Sequence, residues 1–432
     1  MANFEIKVAC DTATSWDGPQ PISLWSGEIC FTRLLREDDN AFDDHLHAPP
    51  VQLAFWLIDN WWRLRWEPFV ADEVSLEWRL AHELSAIGGG YVWPRLRIWG
   101  DDTRVGLSSH GDSPQGMNFA VRYLTDALLF VPADQFETAV DRFLRQAIEA
   151  CSEDQAALQA QLDALQSERS DQDASTWRRL EAQLGYDADE APDHLVGAAQ
   201  ECIETYGRGG VEEAIAAVRG ETAIETLGET VSIARRSRVT CDLREAVEAA
   251  GSVKSGPEVR IWESAEGAAA SVRCALGVDK GPLTNTRLKD LLQVPGGVFR
   301  AGAGSTTKLR YGLRLRHEDQ KRNVLALDAR WPQIRRFALG RALGDAIWSG
   351  NDALGPMTKA KTRRQEFQRS FAQSLLCPHD DLLAYMNTDC PTDDDLAAAA
   401  RHFNVSERVV QTTLVNKGTI DRQRFDEMVE AS

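Results

Sequence analysis

The chain of 432 residues contains no stretch of eighteen uncharged apolar residues, which argues against a membrane-spanning helix. Its first residues, MANFEIKVAC, lack the basic segment and apolar core of a secretory leader. It has no CxxC motif. Its eight cysteines are scattered, and the nearest pair, Cys377 and Cys390, has no second pair with which to complete a zinc site. Isolated thiols of this kind suit a reducing cytoplasm. Positive charge is also scarce: the net charge of −18 argues against a protein that coats nucleic acid or membrane with its whole surface. No cofactor motif is present, so none is expected.

The net charge hides an asymmetry. Between 305 and 370 stand fifteen Lys and Arg against six acids, so this segment carries +9 and the rest of the chain −27. Such a patch is either a site for an anionic partner or an internal match to the acidic parts. Hydrophobic residues make up 43% of the chain, and this length implies two or three domains.

Residues 1–130 hold nine of the thirteen tryptophans. FEIKVAC and GEICFTRLL alternate like strands, VQLAFWLIDNWWRLRW reads as a buried helix after Pro49 and Pro50, and GGGYVWPRLRIWGDDTRVGLSS reads as a hairpin turning at Gly100, Asp101 and Asp102. Strands and helix intermix without βαβ alternation, so an α+β domain is expected. From Pro132, apolar residues recur at three- and four-residue steps for about thirty-five residues, predicting one long amphipathic helix with SERSDQDAS as its turn. Residues 131–232 therefore read as a helical, coiled-coil-like connector. Residues 233–432 read as a third, α+β unit ending in two helices with helix-turn-helix proportions.

Two stretches invite a metallopeptidase reading. RLAHELSAIGGG contains His82 and Glu83, but a zinc helix needs its second His four residues after the first, and Ala86 stands there. His82 is therefore expected to pack within the first domain. The second stretch is RRFALGRALGDAIW, residues 335–348, with the apolar spacing of a core helix in Phe337, Leu339, Leu343 and Ile347.

The order of elements around that helix resembles the ImmA/IrrE family, whose members share a zinc-peptidase-like domain. The likeness spans roughly residues 262–425. It rests on GAAASVRCALGVDKGPLTNTRLKDLL, RNVLALDA, RRFAL, FAQSLLCP and LAAAARHFNVSERVV. In active members an HExxH motif follows the equivalent of RRFAL. On this sequence the first His falls on Arg341, the Glu on Ala342 and the second His on Asp345, with Glu366 near the usual third-ligand position. A guanidinium offers no lone pair to zinc, and alanine cannot take a proton from water. The resemblance thus implies a degenerate, non-catalytic member without metal. An ion pair between Arg341 and Asp345, one helical turn apart, is expected in the metal's place.

Around the former cleft, Arg335, Arg336, Lys359, Lys361, Arg363, Arg364 and Arg369 form a candidate groove for an anionic partner. In the first domain, Arg63 and Arg65 interleave with Trp61, Trp62 and Trp66, either as a stacking surface or as part of a Trp-rich core. The function expected is that of a binding, scaffold or regulatory protein. Its partner would be another protein, one encoded nearby, and the family resemblance suggests bacterial stress response, mobile-element control or phage defence. One alternative is a DNA-binding transcriptional regulator using the basic segment and the terminal helices, with Arg408, Gln411 and Asn416 near the reading helix but Glu407 beside them. A second alternative is an enzyme with an unrecognised site near His82, Glu83 or Arg63.

Overall fold

The computed structural model describes residues 3–9, 15–71, 74–112, 120–253, 259–300, 309–316, 322–327, 331–350, 352–388 and 391–420. Cys10, Cys390, Lys308, Lys321 and Arg330 lie outside the described residues. The fold is α+β, with small antiparallel sheets among many helices. The chain divides into two compact units, Met1–Gly197 and Ala198–Ser432.

The first unit begins with strands β1 (Phe4–Val8), β2 (Gln20–Ser26), β3 (Ile29–Cys30), β4 (Leu34–Arg36), β5 (Ala41–Asp43) and β6 (Leu46–Ala48). Helices α1 (Pro50–Asp59), α2 (Trp61–Trp66) and α3 (Leu76–His82) follow. Strands β7 (Leu96–Gly100), β8 (Arg104–Ser109), β9 (Val121–Tyr123) and β10 (Ala127–Pro132) lead into helices α4 (Ala133–Ala150), α5 (Gln155–Ser170) and α6 (Gln172–Leu184). The expected hairpin is β7–β8, paired from Leu96↔Ser109 to Gly100↔Val105. Pro50 occupies the first turn of α1, where its missing N–H costs nothing.

The long helix expected from Pro132 is two helices. α4 stops at Ala150 because Cys151 is extended (φ −86°, ψ 152°), and Asp17 accepts the Ser152 backbone N–H (2.9 Å) and hydroxyl (2.6 Å) at the break. Phe136, Val140, Phe143 and Leu144 of α4 and Leu158, Leu162 and Leu165 of α5 are all buried, so one apolar period serves both helices across a reversal. The predicted turn at SERSDQDAS is mostly helix; Asp171 alone separates α5 from α6 and caps α6 by accepting from Ala174 N–H (2.8 Å). The stretch expected as a separate connector is thus divided, and the boundary between units falls inside helix α7 (Asp193–Tyr206).

The second unit continues with α8 (Arg208–Ala216), α9 (Ala223–Arg236), strand β11 (Thr240–Cys241), α10 (Arg244–Ala250), α11 (Ile261–Ala275) and α12 (Asn285–Leu292). Then come strands β12 (Gly312–Arg316) and β13 (Asn323–Ala326), helix α13 (Pro332–Ser349), strand β14 (Leu354–Met357), and helices α14 (Arg363–Leu376), α15 (His379–Met386), α16 (Asp393–Phe403) and α17 (Glu407–Asn416). Its antiparallel sheet has the order β11-β13-β12-β14. α13 and α14 pack closely because Gly340 and Gly344 stand one turn apart. A Cβ there would come within 3.0 Å of Ala372 and 3.2 Å of Phe371 respectively. Leu339 and Leu343 fill this core with Phe367, Phe371 and Leu375.

Candidate functional site

α13 supplies a run of polar side chains to the interior of its unit. Arg335 and Arg336, expected in an open groove, are 1% and 0% exposed. Arg335 donates from Nε to the Val298 carbonyl (2.6 Å) and from Nη2 to that of Arg300; Arg336 donates to the Leu283 carbonyl (2.6 Å) and to Asn285 Oδ1. Burial pushes both pKa values down, that of Arg336 to about 10. These residues brace the segments around α12 rather than face a partner. Arg363 and Arg364 are also buried; Arg363 reaches the Val259 carbonyl (3.4 Å). Arg369 donates to the Ala360 carbonyl (3.2 Å), while Lys359 and Lys361 are exposed. Of the expected groove, then, only these two lysines are fully at the surface.

Arg341 and Asp345 do not form the expected ion pair. Asp345 is 0% exposed and lies between two other guanidinia. Its Oδ2 accepts from Arg314 on β12 through Nε (2.9 Å) and Nη2 (2.8 Å). Its Oδ1 accepts from Arg364 Nε (2.7 Å) and Gln368 Nε2 (2.7 Å), both on α14. Burial alone would raise the Asp345 pKa, but Arg364 and Arg314 outweigh it, and the carboxyl is held below its ordinary range. Burial likewise opposes the charge on Arg364, and Asp345 more than reverses this. Arg364 also binds Asp352 (2.8 Å) and the Leu354 carbonyl (2.9 Å). Gly355 on β14 makes room for the cluster, since a Cβ there would meet Asp345 Oδ2 at 1.9 Å.

Arg341 sits beside this cluster on neutral oxygens. Its Nη2 donates to the Thr358 carbonyl (2.8 Å), to Gln368 Oε1 (3.0 Å) and to Gln365 Oε1. Gln365 also donates to Glu213 of α8 (3.0 Å) and to the Pro356 carbonyl (2.9 Å). Burial, with Arg369 adding its like charge, pushes the Arg341 pKa down to about 9. Ala342 is packed in the core. The α14 side chain that meets Arg341 is Gln365, one residue before Glu366, which stays partly exposed. Arg341 and Asp345 thus belong to one largely buried network, and its key members Arg314, Gln365 and Gln368 carried no motif in the sequence.

The aromatic and basic stretch of the first unit is core. Trp61, Trp62, Arg63 and Arg65 are all below 9% exposure, and Trp66 is partly covered by the guanidinia of Arg65 and Arg179, each 3.9 Å from the ring centre. Arg65 pairs with Glu137 (2.6 Å). Arg63 Nε donates to Glu67 Oε2 (2.7 Å), which also contacts His82 Nε2 (2.9 Å), while His82 Nδ1 meets the Ile98 carbonyl (2.6 Å). Burial pushes the His82 imidazole down against the pull of Glu67, and Trp78 stacks on the ring at 4.3 Å. Glu83 turns elsewhere, to Arg97 (3.1 Å) and Ser85 (2.7 Å). His82 and Glu83, adjacent in sequence, share no site.

A cleft of about 520 Å³ in the second unit went unread in the sequence. Glu266, Arg273, Cys274, Ser374, His379 and Lys417 line it from α11, α14, α15 and the end of α17, a grouping no local spacing announces. In the terminal pair, Thr392 and Asp395 form a capping box on α16; Arg408 and Asn416 are exposed on α17, with Glu407 beside them.

Among the described residues no group of three or more His, Cys, Asp or Glu is arranged to hold a metal, and no helix is long and apolar enough to cross a membrane. No family model, no curated protein and no solved structure matches the chain.

Proposed function

We propose that the second unit is a degenerate, non-catalytic relative of ImmA/IrrE metallopeptidases. On this reading the protein acts by binding another protein, as a scaffold or regulator in stress response, mobile-element control or phage defence. One observation carries the reading. The four donors on Asp345, two on each oxygen, fill the lone-pair positions of its carboxylate. A saturated carboxylate has nothing left for a metal or for a proton from water, and neither Arg341 nor Ala342 supplies a base. The polar half of α13 then serves as a cross-link, and the work of the protein falls to its surface.

Metal analysis tests this directly. Stoichiometric zinc in the purified protein, or peptide hydrolysis lost in Asp345→Asn, would sink the proposal. The surface to perturb is Lys359 and Lys361, because charge reversal at the buried Arg364 would break the core. A protein partner that co-purifies in fixed stoichiometry should be lost with Lys359→Glu and Lys361→Glu together. A regulator reading draws on exposed Arg408 and Asn416 of α17; a duplex-DNA shift that weakens steeply with salt would favour it instead.

A further inference from the structure

Several guanidinia around α13 meet only neutral oxygens, Arg336 and Arg341 among them, and of these two only Arg341 is not fully buried. Asp345 sits between Arg314 and Arg364, and Asp352 pairs with Arg364, so two carboxylates answer two guanidinia. Arg341 has no such answer. Its partners are a carbonyl and two amide oxygens, all on Nη2. Its Nε is buried with no hydrogen-bond partner, and Nη1 forms none either among the described residues. Asp345 and Glu213 act on it only at longer range. A covered cation held by neutral groups is costly unless an anion joins it. Arg341 nevertheless keeps some solvent exposure, unlike Arg335, Arg336 and Arg364.

We propose that Arg341 is the receptor for one carboxylate of an acidic protein segment, which docks across the loop bearing Lys359 and Lys361. The surroundings favour a single negative charge, because Asp345, Asp352 and Glu213 nearby would oppose a dianion. Thr358, whose carbonyl holds Arg341, opens the loop that carries the two exposed lysines, so an acid-rich segment would meet them at the surface before its carboxylate reaches the guanidinium. The inference rests on the binding-module reading above and names the chemistry of the partner.

The test follows the Nε–Hε resonance of Arg341 in the ¹⁵N-labelled full chain, assigned by its loss in Arg341→Gln. Sodium acetate and the capped peptide acetyl-Glu-Glu-Glu-Glu-amide are the probes, with inorganic phosphate as comparison. The expected result is a saturable shift with acetate, at least tenfold tighter binding of the peptide, and a loss of at least tenfold in Arg341→Gln. In Lys359→Ala with Lys361→Ala the peptide should weaken several-fold while the acetate shift persists. An Arg341 signal unmoved by acetate, or peptide binding unchanged in Arg341→Gln, overturns the proposal. A larger shift with phosphate than with acetate overturns the carboxylate assignment. If Arg341→Gln does not fold, Arg341→Lys, which also lacks an Nε–Hε group but keeps the charge, supplies the assignment, and the wild-type titration and the lysine pair decide. Absence of bound zinc together with a silent Arg341 would defeat this inference alone; bound zinc would defeat the reading beneath it.

Discussion

Each unit buries a carboxylate against guanidinium, and the two do it differently. In the first, Glu67 is shared by Arg63 and a fully buried His82, and Arg63 reaches outward to Asp187 (3.0 Å), which is about half exposed. In the second, Asp345 is enclosed by Arg314, Arg364 and Gln368. The first cluster keeps a connection to solvent through Asp187 and includes an imidazole whose pKa burial pushes down. In the second the carboxylate itself is fully enclosed, and only Arg364 reaches on to the partly exposed Asp352. The lesson is that the tempting residue of the first unit, His82, is a structural member of a network. Asp345 of the second is likewise a structural member of one.

The comparison is broken most severely by Asp345→Ala, which strands two buried guanidinia and should cost the second unit about 5 kcal/mol, the upper end for removing one side of a buried pair. Hydrogen exchange across α13 and α14 would report it. Glu67→Ala leaves Arg63 its contact with Asp187, so about 3 kcal/mol is expected, read from exchange in α2 and α3. Gly355→Ala presses a methyl onto Asp345 Oδ2 without removing any charge; a loss of about 2 kcal/mol, confined to the second unit, would show that geometry as well as charge holds the cluster. Acid sharpens the contrast further. Asp345 is held below its ordinary 3.8, so its stabilisation is complete above about pH 4 and is lost as the pH falls below that value. Asp345→Asn should abolish that acid-dependent component in urea unfolding. Lys359→Ala with Lys361→Ala should change stability by about 0.5 kcal/mol or less.

Much of the fold was legible because local rules governed it. The hairpin at Gly100, the helix after Pro49 and Pro50 and the helix RRFALGRALGDAIW follow from periodicity and turn residues. The break at Cys151 was not legible, since the apolar period runs on through it and the reversal is held by Asp17, more than 130 residues away. For the same reason the middle helices looked like a separate connector. At the candidate site, that Arg341 and Ala342 could neither ligate zinc nor act as a base was readable from chemistry alone. The actual partners of Asp345 were not. Arg314 comes from another strand and Gln368 from another helix, and pairing at one-turn spacing was the nearest local guess. The basic groove failed similarly: counting arginines reveals charge but not that Arg335 and Arg336 end on backbone carbonyls inside the core.

Gly355 gives change at this site a direction. Substituting Arg341→His, Ala342→Glu and Asp345→His would spell a zinc motif without supplying its surroundings. Arg314 and Arg364 would be left facing an imidazole in a space shaped around a carboxylate and closed by a strand lacking one side chain. A zinc site on this helix is therefore separated from the present chain by a valley. Reaching it would require dismantling the arginines first, and every intermediate would have to survive with its core charge exposed to no partner.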